Sequence, residues 1–262
     1  MTRFAATVAI DWSGAKGKRH RGIAIAEARG DNAPRLVRPG HIWSREEVLD
    51  WLLERAAKEP TLFGFDFSFA PPFAERGAYL PGENGVPDNA RDFWAYVDRH
   101  SNDDDLGAAS FLENVHRSHF YFGIADGVKS DFVRFRICDA RLNAQGGRKT
   151  ASAYDAIGAA QVAKASFSGM RLLNRLRGRV AIWPMDPLPE SGSAVVEIYT
   201  RIYLRNAGMS GPRRATSAAS HVQSTPPNAR MVTPDAPVNE VKNAHTKAVT
   251  IAGPPRNCPT SA

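Results

Sequence analysis

Cysteine is nearly absent: the 262 residues contain two, Cys138 and Cys258, far apart and without a partner at metal-ligand spacing. That excludes a disulfide framework, gives no sign of a zinc site and suits a reducing cytoplasm. Long apolar runs are also missing. None approaches the roughly 18 residues that a membrane span requires, and the opening MTRF passes into a strand-like segment without a signal-peptide core. The expectation is a cytoplasmic protein with no membrane partner. Aromatics and leucine are absent from one stretch: residues 209–262 hold no Phe, Trp, Tyr or Leu, yet carry eight of the 18 prolines. Such a segment has little apolar surface to offset its ordering entropy, so it reads as a disordered tail. A concentrated positive charge is lacking as well. The net charge is +7, but the tail holds six Lys or Arg against two acids, leaving a body of 28 against 25. No recognition helix, aromatic stacking platform or basic stripe is visible from which to infer a base preference.

What is there is an ordinary globular composition, 43% hydrophobic and 23% charged, enough for one large domain over residues 1–208. Its body alternates strands and helices. Residues 7–10 (TVAI) and 22–28 (GIAIAEA) read as a hairpin around a turn rich in Gly and Lys, and 34–43 as a third, irregular strand. Ser44 is a helix N-cap, with Glu46 and Glu47 in the first turn and Val48, Trp51 and Leu52 at helical spacing. Residues 61–67 (TLFGFDF) form the next buried strand. From 68 to about 160 the text is less regular, broken by Pro71, Pro72, Pro81 and Pro87, and reads as an inserted cap with short helices at 90–100 and 106–115. A helix over 162–176, strands at 179–183 and 194–198, and a short helix at 201–206 complete the domain.

Three acids stand near the ends of apolar strands: Asp11, Asp66 and Glu197. A carboxylate at a buried edge costs several kcal/mol unless it is paired, hydrogen-bonded or bound to a cation. In open α/β sheets ligands gather outside the carboxyl ends of the strands, where such acids converge if the strands are neighbours. An all-oxygen ligand set suits Mg²⁺ or Mn²⁺, which can activate a water for phosphodiester hydrolysis. The alternative is that each acid caps the following helix or pairs with a nearby Arg.

The segments VAIDWSGAKGKRHRGIAIAEA (8–28), LFGFDFSFAPP (62–72), FRICDARLN (135–143), GAAQVAKASFSGMRLLNRLRG (158–178), AIWPMD (181–186) and VVEIYTRIYLRNAG (195–208) together resemble an uncharacterised bacterial family of predicted nucleases with the ribonuclease H-like fold. The resemblance spans nearly all of residues 8–208. It implies a mixed five-stranded sheet in the order 3-2-1-4-5 with flanking helices, strands 1, 4 and 5 being parallel and adjacent. Asp11, Asp66 and Glu197 would then meet as metal-binding, catalytic residues of a hydrolase. The resemblance also implies a site role for Arg136 and Asp139. One departure stands out. The ribonuclease H-like fold generally continues into a final helix with one more acid, whereas after Gly208 this chain offers only Asp235 and Glu240, neither in an apolar helical pattern. A shifted reading frame or a divergent end is one reading of that stretch.

Other residues carry weaker signals. Asp11-Trp12-Ser13-Gly14 with Lys16 and Lys18 resembles the first hairpin of sugar kinases and actin-like ATPases, which makes ATP-linked phosphoryl transfer the runner-up. The bland alternative is a hairpin turn in which Gly14 and Gly17 supply positive φ. Arg134, Arg136 and Asp139 flank a strand-like FVRFRICD, and Arg148 and Lys149 follow a Gly-Gly turn; Arg136, Asp139, Lys149 and Arg201 are the candidate substrate-phosphate residues. His116 and His119, three apart, would share a helix face, but without a further ligand at matching spacing they read as a solvated or core-edge pair. Asp103, Asp104 and Asp105 read as a solvated helix start. The leading expectation is a Mg²⁺- or Mn²⁺-dependent nuclease or phosphodiesterase with nucleic acid or another phosphodiester as its partner. A non-catalytic adaptor that lost its final helix is the third reading.

Overall fold

The computed structural model describes residues 3–145, 150–157 and 162–199. The expected helix at 201–206, the tail at 209–262, and the candidate residues Arg148, Lys149 and Arg201 lie outside the described residues.

Strand β1 (Ala6–Asp11) points Val8 and Ile10 into the main core and Ala9 to the opposite face. It pairs antiparallel with β2 (Ala24–Ala28), which pairs with the two-residue β3 (Arg35–Leu36). The expected third strand over 34–43 is this short because Arg38 and Gly40 take φ of 51° and 77°, which no strand accommodates. On its other side β1 pairs in parallel with β4 (Thr61–Phe65). Two strands, β5 (Ala181–Trp183) and β6 (Ala194–Glu197), complete a six-stranded mixed sheet in the order β3-β2-β1-β4-β6-β5. This corrects the expectation of five strands in the order 3-2-1-4-5. β6 takes the place beside β4, and β5 adds a sixth strand outside it, because Ile182 pairs with Val195 and is buried in the same core.

Helix α1 (Arg45–Lys58) begins at Ser44, whose hydroxyl accepts from the Glu47 amide while the Glu47 carboxylate accepts from the Ser44 amide. Val48 and Leu52 bury its inner face.

Between β4 and the long helix α4 (Val162–Leu176) lie α2 (Ala90–Arg99), a π-helical turn at Phe111–Val115, and α3 (Ile137–Ala144). The helix expected over 106–115 is reduced to that turn, because Asp105 and Leu106 are left-handed at φ 50° and 54°. This region shares the core of the sheet: Phe93, Trp94, Phe111 and Phe120 are fully buried in the same cluster as Val8 and Phe63. Phe167 of α4 joins them, with ring centroids 6.1 Å from Phe93, 5.3 Å from Phe111 and 5.0 Å from Phe120. Among the described residues no helix is long and apolar enough to cross a membrane.

Candidate functional site

From β1 the sheet runs one way through β2 and β3 and the other way through β4, β6 and β5. The boundary between β1 and β4 is therefore where the strand order reverses, and the carboxyl ends of these two parallel strands are where such sheets bind ligands. Ile10 and Phe65 are register partners, so Asp11 and Asp66, each one residue further, sit side by side. The Trp12 amide donates to Asp66 Oδ1 at 2.9 Å, tying the first turn to the end of β4.

Strand alternation separates the third acid from these two. Phe63, Phe65, Phe67 and Phe69 all enter the main core, which directs Asp66 to the opposite face, the one that Ala9 marks on β1 and that Asp11 shares. Glu197 is the register partner of Phe65 and lies on the core face, where its Oε2 accepts from the Phe69 amide at 2.9 Å. All three acids stand at neighbouring strand ends, but only Asp11 and Asp66 share a face.

Glu197 is instead held by Arg136, the N-cap of α3, whose Nη1 and Nη2 donate to the two Glu197 oxygens at 2.7 and 2.6 Å. The same guanidinium donates to Asp139 from Nε at 2.8 Å and from Nη2 at 3.3 Å. One cation is thus clamped between two carboxylates in a partly buried setting, the side chains of Arg136 and Glu197 being 21% and 27% exposed. Burial alone would loosen the proton of Arg136, but the attraction of Glu197 and Asp139 outweighs it and holds its pKa well above the ordinary arginine value. Arg136 and Asp139 are brought together with Glu197, and each of the three guanidinium nitrogens donates to a protein carboxylate. The segment expected as a strand, FVRFRICD, is irregular chain leading into α3.

The first turn packs against α4. Trp12 Nε1 donates to Ser168 Oγ at 2.9 Å, and a Cβ on Gly14 would lie 2.2 Å from the Ala165 nitrogen and the Lys164 carbonyl carbon. Gly14 therefore serves close approach rather than positive φ; Gly17, at φ 104°, meets the expected need. Lys16 pairs with Glu113 at 2.6 Å and Lys18 with Asp104 at 3.2 Å, across a cleft of ≈ 350 Å³. The lysines that suggested a phosphate cradle each face an acid of the same cleft, in solvent-exposed pairs.

Asp105, expected as part of a solvated helix start, is buried with a side-chain exposure of 3%. Its carboxylate accepts from the amides of Arg45 and Glu46 at 3.1 and 3.0 Å and lies 2.8 Å from His20 Nε2. Arg45, wholly buried, donates to the carbonyl oxygens of Ser13, Ala15 and Asp105. Burial lowers its pKa to about 10, against the pull of Asp105. Sequence reasoning missed this network because its members come from four separate stretches of chain.

One group with metal-ligand distances is present among the described residues, and it is a different set: Glu83, His116 and His119, whose ligand atoms all lie within 4.8 Å of one another. The two histidines were legible as a pair; Glu83 comes from a turn 33 residues earlier, and no local spacing signals it.

Fold and site define an α/β protein with paired carboxylates at the switch point of a six-stranded mixed sheet. Comparison with protein-family models, with curated proteins and with solved structures finds no match.

Proposed function

We propose that this chain is a Mg²⁺- or Mn²⁺-dependent phosphodiesterase, a nuclease built on a ribonuclease H-like sheet, with Asp11 and Asp66 as the metal ligands. The observation that carries the reading is the register of the adjacent parallel strands β1 and β4, whose last partners Ile10 and Phe65 are each followed by an aspartate, Asp11 and Asp66, at the switch point. Oxygen ligands of this kind bind hard divalent ions while leaving most of the coordination sphere to water and phosphate oxygens. An ion held by Asp11 and Asp66 would supply Lewis-acid chemistry for hydrolysis of a phosphodiester by water. Glu197 and Asp139 fix Arg136, which serves in this reading to anchor the start of α3 beside the strand ends rather than to bind phosphate directly.

Calorimetric titration of Mn²⁺ into the parent and into Asp11→Asn and Asp66→Asn, each shown by circular dichroism to be folded, is the first test. Saturable binding in the parent, lost in both variants, is the expected result, followed by Mn²⁺-dependent cleavage in a screen of DNA, RNA and hybrid substrates. An Asp11→Asn protein that cleaves as well as the parent would overturn the assignment. A parent that binds no Mn²⁺ would favour the non-catalytic adaptor.

A further inference from the structure

The group formed by Glu83, His116 and His119 lies in the region between β4 and α4 and takes no part in the phosphodiesterase reading. His116 ends the π-helical turn and is buried, with a side-chain exposure of 4%; its ring lies 4.6 Å from that of Phe111 and 5.7 Å from that of Tyr96. Its Nε2 lies 3.1 Å from the Tyr96 hydroxyl. Its Nδ1 is buried and makes no hydrogen bond, facing Glu83 Oε1 at 3.5 Å. The same Glu83 oxygen lies 3.1 Å from Nε2 of His119, at the end of the 3₁₀ turn Arg117–His119. Glu83 closes a turn in which its amide donates to the carbonyl of the buried Leu80.

Hydrogen bonding alone satisfies this arrangement poorly. One carboxylate oxygen faces two imidazole nitrogens, and the more deeply buried of the two makes no hydrogen bond. A cation between them would engage all three atoms. With bonds of about 2.0–2.2 Å in a tetrahedron, ligand atoms stand about 3.3–3.6 Å apart; Glu83 Oε1 lies 3.1 and 3.5 Å from the two ring nitrogens, and the nitrogens lie within 4.8 Å of each other.

We propose that Glu83 Oε1, His116 Nδ1 and His119 Nε2 form a binding site for a divalent transition-metal ion of the zinc type. Two neutral imidazoles and one carboxylate are the ligand chemistry such ions prefer over Mg²⁺. With Nδ1 on the metal, Nε2–H donates to the Tyr96 oxygen, the outer contact that orients a metal-bound imidazole. Glu83 is 36% exposed, so the site opens to solvent on that side and leaves a fourth position for water. A bound ion would also stitch the turn at Glu83 to the segment around His116.

The test is calorimetric titration of Zn²⁺ into the full-length parent and into Glu83→Gln, His119→Gln and Asp11→Asn, with thermal unfolding of each recorded with and without Zn²⁺. Glu83, His119 and Asp11 lie outside the buried apolar core, and circular dichroism checks folding. The parent is expected to bind one tight equivalent and to gain thermal stability. Glu83→Gln and His119→Gln should each lose more than the roughly 10- to 100-fold that outer-shell changes cost, and lose the thermal gain with it. Asp11→Asn should keep both. A parent without tight Zn²⁺ binding overturns the proposal. So does binding that survives both Glu83→Gln and His119→Gln, which would assign the ion to other ligands such as His221, His245 or Cys258, or binding lost only in Asp11→Asn, which would assign it to the strand ends.

Discussion

Two regions of this molecule gather charged groups by opposite means. At the carboxyl ends of β1, β4 and β6, hydrogen-bonded register brings the three acids to neighbouring strand ends, with Glu197 level with Ile10 and Phe65 and one residue short of Asp11 and Asp66, and strand alternation decides which face each occupies. Between β4 and α4 the backbone is irregular, and charged groups meet by return of the chain: Asp105 reaches α1, 60 residues before it, and Glu83 reaches His116 and His119. The first region shows how little a sheet needs in order to align acids. The second shows that an irregular region can be as tightly specified, since Asp105, His20 and Arg45 are all nearly inaccessible and Asp105 bonds to both of the others.

The largest effect that separates the regions is expected at Asp105. Asp105→Ala leaves the buried guanidinium of Arg45 without its carboxylate and two amides of α1 without their acceptor, which should cost about 3–5 kcal/mol by urea denaturation. A loss under about 1 kcal/mol would mean that the irregular region merely lies against the helix. Acid sharpens the point. Burial pushes the Asp105 pKa up, but the His20 contact, the two amides and Arg45 outweigh it, so the folded-state value lies below the ordinary one. The stabilisation is complete above the unfolded value of about 3.9 and is lost as pH falls through the folded value. Unfolding midpoints measured from neutral pH downward should therefore fall further in the parent below pH ~4 than in Asp105→Asn; parallel curves would refute the assignment.

The same contrast explains what the sequence disclosed. The positions of β1, β2, β4 and β6, the Ser44 cap, α4 and the acids at the strand ends were legible because alternation, capping chemistry and helical spacing are local. The face of Glu197 was legible in principle: Val195 and Val196 point opposite ways, and Glu197 follows from the count. The strand at 179–183 was legible too, but its place was not: a three-residue strand carries no sign of which edge it joins, and the five-strand order implied by the resemblance has no position for it. Glu83 and Asp105 were not readable, since loop return is set by packing of Leu80, Phe111 and Phe120 rather than by spacing.

A middle-sized effect belongs to the seam between the regions. Gly14→Ala places a methyl 2.2 Å from the α4 backbone, which cannot yield as a side-chain tip would, and should cost about 1–3 kcal/mol. Gly17→Ala meets no atom within 4 Å, so its cost is that of φ 104° alone and should be the smaller of the two. Equal losses in thermal or urea unfolding would show that the turn moves off α4 without penalty.

The smallest effect is expected at Ser44, where both regions act on one helix end. The first-turn amides of α1 are fully accounted for: those of Arg45 and Glu46 go to Asp105, and that of Glu47 goes to the Ser44 hydroxyl. Ser44→Ala removes a local cap and should cost about 1 kcal/mol, within the usual range for an N-cap, because the remote carboxylate still holds the other two amides. Combined with Asp105→Asn the losses should fail to add, since the two acceptors serve adjacent donors of one turn and either change lets that turn fray. Additivity within about 0.3 kcal/mol in a double-mutant cycle would mean that the caps act independently. The return of the chain at Asp105 would then secure Arg45 rather than the helix end.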